Sequence, residues 1–144
     1  ISPAAASKGF KLSTVYVKRA EDLDRAFADA AALRLEALFV PDLRLFYEQA
    51  PRIAALALKN RIALFARPPV SDQTGGLMSL DIDHVENWRR AGKVLGRIFR
   101  GESPAETPVE QPERLYWTIN QKTAHALGIT FPQSVLLRAD RVIE

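Results

Sequence analysis

Chemistry is most plausible where an apolar run gives way to a charged or aromatic side chain. Asp42 follows "EALFVP" directly, and Phe65 and Arg67 flank the end of "RIALFA". A carboxylate in such a place can pair with an ammonium group, a ring can stack on a ligand, and a guanidinium can hold an anion. Each has an ordinary alternative: Asp42 as a helix cap or dipole partner, Phe65 as core, Arg67 as a solvated charge. Their occurrence at consecutive strand ends favours a shared binding edge.

The glycine pair Gly75-Gly76 in "SDQTGGLMSL" fits neither common phosphate motif, since it lacks G-x-G-x-x-G and G-x-x-x-x-G-K-[ST]. It also precedes a strand where a phosphate loop would open a helix. Spacing alone reads as a turn with room for close approach to the main chain.

Other chemistry is poorly supported. His84 and His125 lie far apart with no partner at ligand spacing, so no metal and no cofactor is expected. Asp83 and Glu86 have the spacing of a capping box, which accounts for two of the three carboxylates near Asp81 without acid/base work. No G-x-S-x-G elbow is present, and no catalytic constellation emerges.

Arg89, Lys93, Arg97 and Arg100 form a basic stripe that reads as a wet helix face. With 20 basic and 17 acidic residues, the net charge of +3 gives no reason to expect nucleic acid. The chain has no cysteine, which removes disulfides and thiol chemistry. No apolar run reaches the roughly 18 to 20 residues of a membrane span. The first residue is Ile, so a removed leader or a longer parent protein is expected.

The elements that must hold these residues alternate. "KLSTVYVKR" reads as a strand, and Leu23, Phe27, Ala30 and Leu33 mark a helical face. "EALFVPD" is a strand stopped by Pro41, and a helix from near Tyr47 keeps Pro51 in its first turn. "RIALFA" and "LMSL" are further strands.

The long helix after Asp83 carries Val85, Trp88, Gly92, Leu95 and Phe99 on one stripe and ends at Gly101. A Pro-rich connector leads to the strand "RLYWTIN", a helix capped by Asn120 and Gly128, and a last amphipathic turn or two over 134–142. This order predicts an α/β fold with a mostly parallel sheet and helices on both faces, its ligands at the carboxyl ends of the strands.

The segments "GGLMSL", "PVEQPERLYWTINQKTAHALGITFP" and "PQSVLLRADRVIE" resemble the ABC transporter substrate-binding proteins of the tryptophan/tyrosine-type family, and similarity extends back through "RAEDLDRAFADAAALRLEALFVPD". The resemblance implies the second lobe of a type I periplasmic-binding fold with crossover segments. Residues 1–75 would be the partial second lobe. Residues 76–112 would hold a crossing strand, the long helix and a connector toward a missing first lobe, and 113–144 the closing strand and helices.

It further implies a non-enzymatic, periplasmic or extracytoplasmic solute-binding component of an ABC uptake system. The solute would be small, amino-acid-like or aromatic, and the partner a membrane permease. Asp42, Phe65, Arg67, Gly75 and Gly76 would be the ligand-binding residues. A ligand-sensing domain of a signalling protein with the same fold is the alternative. The family's usual Tyr-Gly after "LMS" is Leu80-Asp81 here. Without the first lobe, the stripe of Trp88, Leu95 and Phe99 would lose cover, and self-association is expected.

Overall fold

In the computed structural model, the residues described are 5–67, 75–108 and 114–144. Most of the loop before Gly75 and the "VEQPE" part of the connector lie outside them. Five strands form one sheet in the order β1-β2-β3-β4-β5: β1 Ala37–Val40, β2 Ala63–Ala66, β3 Met78–Ile82, β4 Leu115–Asn120 and β5 Arg141–Ile143. The pairs β1/β2, β2/β3 and β4/β5 are parallel, while β3/β4 is antiparallel. The α/β class and mostly parallel sheet read from the sequence are observed.

The helices are α1 Leu23–Ala32, α2 Arg44–Glu48, α3 Ala50–Lys59, α4 His84–Phe99, α5 Gln121–Leu127 and α6 Gln133–Leu136. Leu23, Phe27 and Ala30 of α1 meet Ile53, Ala54 and Ala57 of α3 over Val40, Leu64 and Ala66 of the sheet. Strand alternation turns Phe39 and Phe65 to the opposite face. There their rings stack in a tilted pair with centroids 5.5 Å apart. Arg52 ties the two core helices together, donating to the Ala20 carbonyl at 3.1 Å and to Asp24 at 2.7 Å.

Helix ends follow local chemistry. Asn120 Oδ1 accepts from the Thr123 amide, and Gly128 closes α5 at φ 75°. Asp83 Oδ1 accepts from the Glu86 amide. The reciprocal half of that capping box is replaced, because the Glu86 carboxylate pairs with Arg89 and Arg90. At the ends of α1 and α3 the left-handed position is filled by Arg34 and Arg61, at φ 52° and 55°. The amides that follow, Leu35 and Ile62, bond back to Ala30 and Ala57, the pattern glycine usually serves.

Three expectations are corrected. Residues 11–19 form no strand: the segment does not pair with the free edge of β1, and Leu12 and Tyr16 are left exposed. The helix expected from near Tyr47 is two helices broken at Gln49, so that Pro51 occupies the first turn of the second. The closing segment ends in a strand, because Asp140 grips β4: its amide bonds to the Trp117 carbonyl at 2.9 Å and its carboxylate accepts from the Trp117 amide at 2.8 Å.

Candidate functional site at the carboxyl edge

Because β1, β2 and β3 run parallel, their carboxyl ends share one edge of the sheet. Asp42 stands two residues beyond β1 and Arg67 directly beyond β2, where its amide extends the ladder to the Val40 carbonyl at 2.9 Å. Asp81 lies near the end of β3 and is only 8 % exposed. It belongs to the set Ser79 and Asp81, the buried positions of β3. Its Oδ1 accepts from the Ile82 amide at 2.8 Å.

Short helix α2 rises immediately after β1 and carries Tyr47 over this edge. The Tyr47 hydroxyl lies 3.4 Å from Nε2 of His84, the first residue of α4. The same nitrogen is 3.4 Å from Asp81 Oδ1. Burial pushes the Tyr47 hydroxyl above the ordinary tyrosine pKa, the Asp81 and Asp42 carboxylates push it further, and Arg67 opposes them. The phenol therefore keeps its hydrogen near neutral pH and remains a donor.

Of the residues singled out in the sequence, Asp42 and Arg67 follow the carboxyl ends of neighbouring strands, and both act electrostatically on Tyr47. Phe65 sits one residue inside the end of β2 and stacks on Phe39, so it forms part of an apolar wall on the far face of the sheet. Gly75 and Gly76 are not brought to this edge. They precede β3 and so stand at its amino end, with φ 72° and 85°. A Cβ on Gly75 would lie 3.0 Å from the Ala54 Cβ, so the glycine is fixed by left-handed geometry and by close packing on α3.

Tyr47, Asp81 and His84 are members of this edge that sequence reasoning did not assign to it. The available signal was the run Asp81-Ile82-Asp83-His84 across a strand end, with Leu80-Asp81 in place of Tyr-Gly. Among the described residues no group of three or more side chains of metal-ligating type comes together. The edge can instead offer two carboxylates, a guanidinium, a phenol and an imidazole. That set suits a small zwitterion better than an apolar solute.

Comparison with known proteins gives this edge a setting. A conserved domain protein from Vibrio cholerae O1 biovar El Tor matches with a TM-score of 0.86 at 21 % identity, covering 98 % of this chain and 47 % of that one. An ABC domain from Streptococcus pneumoniae, solved in complex with L-Trp, matches with a TM-score of 0.84 at 26 % identity, covering 98 % of this chain and 49 % of that one. A tyrosine-binding protein of Clostridioides difficile is 27 % identical over 96 residues, which are 67 % of this chain and 28 % of the relative. The chain thus spans about half the length of the solved structures it matches, and less of the curated relative. The model for ABC transporter substrate binding protein matches residues 2–143, and the chain belongs to that family.

Proposed function

We propose that this chain supplies one lobe of a two-lobed solute-binding component of an ABC uptake transporter. The solute is a small amino acid, with an aromatic side chain as the leading class. The observation that carries this reading is that Asp42 and Arg67 follow the carboxyl ends of neighbouring parallel strands, with both acting electrostatically on Tyr47 of α2. The relatives support it, since one was solved with L-Trp and another is a tyrosine-binding protein.

Asp42 pairs with the ammonium group, Arg67 faces the carboxylate, and the Phe39-Phe65 wall lends apolar surface beside the ring. Ligand contacts from both lobes favour the closed state, which a membrane permease then receives outside the cytoplasm. Gly75-Gly76 serve the turn into the crossing strand β3, and Trp88, Leu95 and Phe99 on α4 pack against the other lobe. In the chain by itself that stripe is covered by self-association.

Isothermal titration of L-tryptophan and L-tyrosine into the protein that carries this chain tests the reading. Asp42→Ala is expected to weaken binding about 10- to 100-fold, the loss of a charge-assisted hydrogen bond. Unchanged affinity in that variant would remove Asp42 from the site.

A further inference from the structure

His84 presents one ring nitrogen to two oxygens. Nε2 is 3.4 Å from Asp81 Oδ1 and 3.4 Å from the Tyr47 hydroxyl. An ionised carboxylate can only accept, so the Asp81 contact is attractive only when Nε2 carries a hydrogen. With hydrogen on that nitrogen, the Tyr47 oxygen acts toward His84 as an acceptor. The hydrogen of the phenol then points elsewhere, and Asp42 and Arg67 are the other charged groups that Tyr47 senses.

The charged groups next to His84 at the start of α4 are otherwise engaged. Asp83 caps the Glu86 amide, and Glu86 pairs with Arg89 and Arg90. His84 is therefore faced by Tyr47 from α2 and Asp81 from β3, with Asp42 and Arg67 beyond Tyr47.

We propose that His84, held by Asp81, is a positioning residue that turns the Tyr47 hydroxyl into a hydrogen-bond donor toward an acceptor oxygen of the bound solute. This rests on the amino-acid reading above and assigns Tyr47 to the carboxylate end of the ligand beside Arg67. It also makes recognition proton-linked. A charged imidazole always carries hydrogen on Nε2, whereas a neutral one has a tautomer in which bare Nε2 takes the phenol hydrogen away from the ligand. Carboxylate binding is therefore tighter when the imidazole is protonated.

Titration of L-tryptophan into the protein carrying this chain, at about pH 5.5 and about pH 8, spans the range over which imidazoles titrate. Tyr47→Phe is expected to weaken binding about 10-fold or more, as a hydrogen bond to a charged group requires. His84→Ala should weaken it less and flatten the pH profile. His84→Gln, whose amide can still donate to Asp81, should restore affinity within a few-fold while the profile stays flat.

Wild-type affinity in Tyr47→Phe, or an unaltered pH profile in His84→Ala, would overturn the inference and leave the amino-acid reading standing. A wild-type protein that binds neither L-tryptophan nor L-tyrosine would overturn both.

Discussion

Helices α1 and α3 on one side, and α4 on the other, carry the same kind of message in their sequences and meet different fates. Each has an apolar stripe at helical spacing. Those of α1 and α3 close over the sheet, with Phe27 only 4 % exposed and Ile53 3 %. Helix α4 is the longest of those described and has no buried residue, and Trp88 and Phe99 are 77 % and 84 % exposed. An amphipathic pattern says which face is built for burial, and the cover has to come from another element. The core helices find theirs in β1 and β2.

The largest expected effect is a direct contrast. Phe27→Ala should cost about 3 to 5 kcal/mol, the transfer loss plus the cavity left between α1 and α3. Trp88→Ala should stay within about 0.5 kcal/mol at dilutions where the chain is monomeric, as for an exposed position. Urea denaturation of both variants measures the difference. At higher concentration, where a second copy covers α4, the loss from Trp88→Ala should grow, and sedimentation should show the self-association.

Helix ends sharpen the comparison at a smaller scale. Arg61 closes α3 with φ 55°, where glycine is under no steric penalty. Arg61→Gly should therefore change stability little or raise it by up to about 1 kcal/mol, since relief of strain offsets the added freedom of the unfolded chain. Gly101 holds the corresponding position after α4 at φ 101°. Gly101→Ala should fray α4 in hydrogen exchange and leave the urea midpoint of the core unchanged.

The smallest effect is electrostatic and belongs to the packed body. The Lys18 and Arg19 amides hold the Asp22 carboxyl below the usual aspartate range. Asp140 is held low by the Trp117 amide first and by Arg114 second. Lowered folded-state values mean that this stability is present above the unfolded-state pKa and is lost as pH falls through the folded one. Thermal melts should decline below about pH 4, and the double variant Asp22→Asn, Asp140→Asn should show a shallower decline from a lower starting point.

Much of the fold was legible because local rules and tertiary structure agree. Pro41 ends β1, Asn120 and Gly128 bound α5, and Asp83 caps α4 as their residue types dictate. Ends at Arg34 and Arg61 gave no such sign, since arginine has no preference for left-handed backbone. The strand read at 11–19 was a sound local pattern that does not pair with any described strand. Strand β5 is three residues long, too short for alternation to register, and its cause is the Asp140 grip on Trp117 some two dozen positions earlier.

The candidate site divides in the same way. Asp42 and Arg67 were visible as strand-end residues. Tyr47, Asp81 and His84 come together only when α2 folds back over the edge that β3 completes, a meeting that no spacing in the chain encodes.

The central claim is that the solute sits on the carboxyl edge of β1, β2 and β3. Amide chemical shifts of the isotopically labelled protein that carries this chain, followed through a titration with L-tryptophan, test it most directly. The account predicts that the largest changes within this chain fall on Asp42, Tyr47, Arg67 and Asp81. Changes centred on Gly75, Gly76 and Ala54 at the amino end of β3, with the carboxyl edge silent, would contradict it.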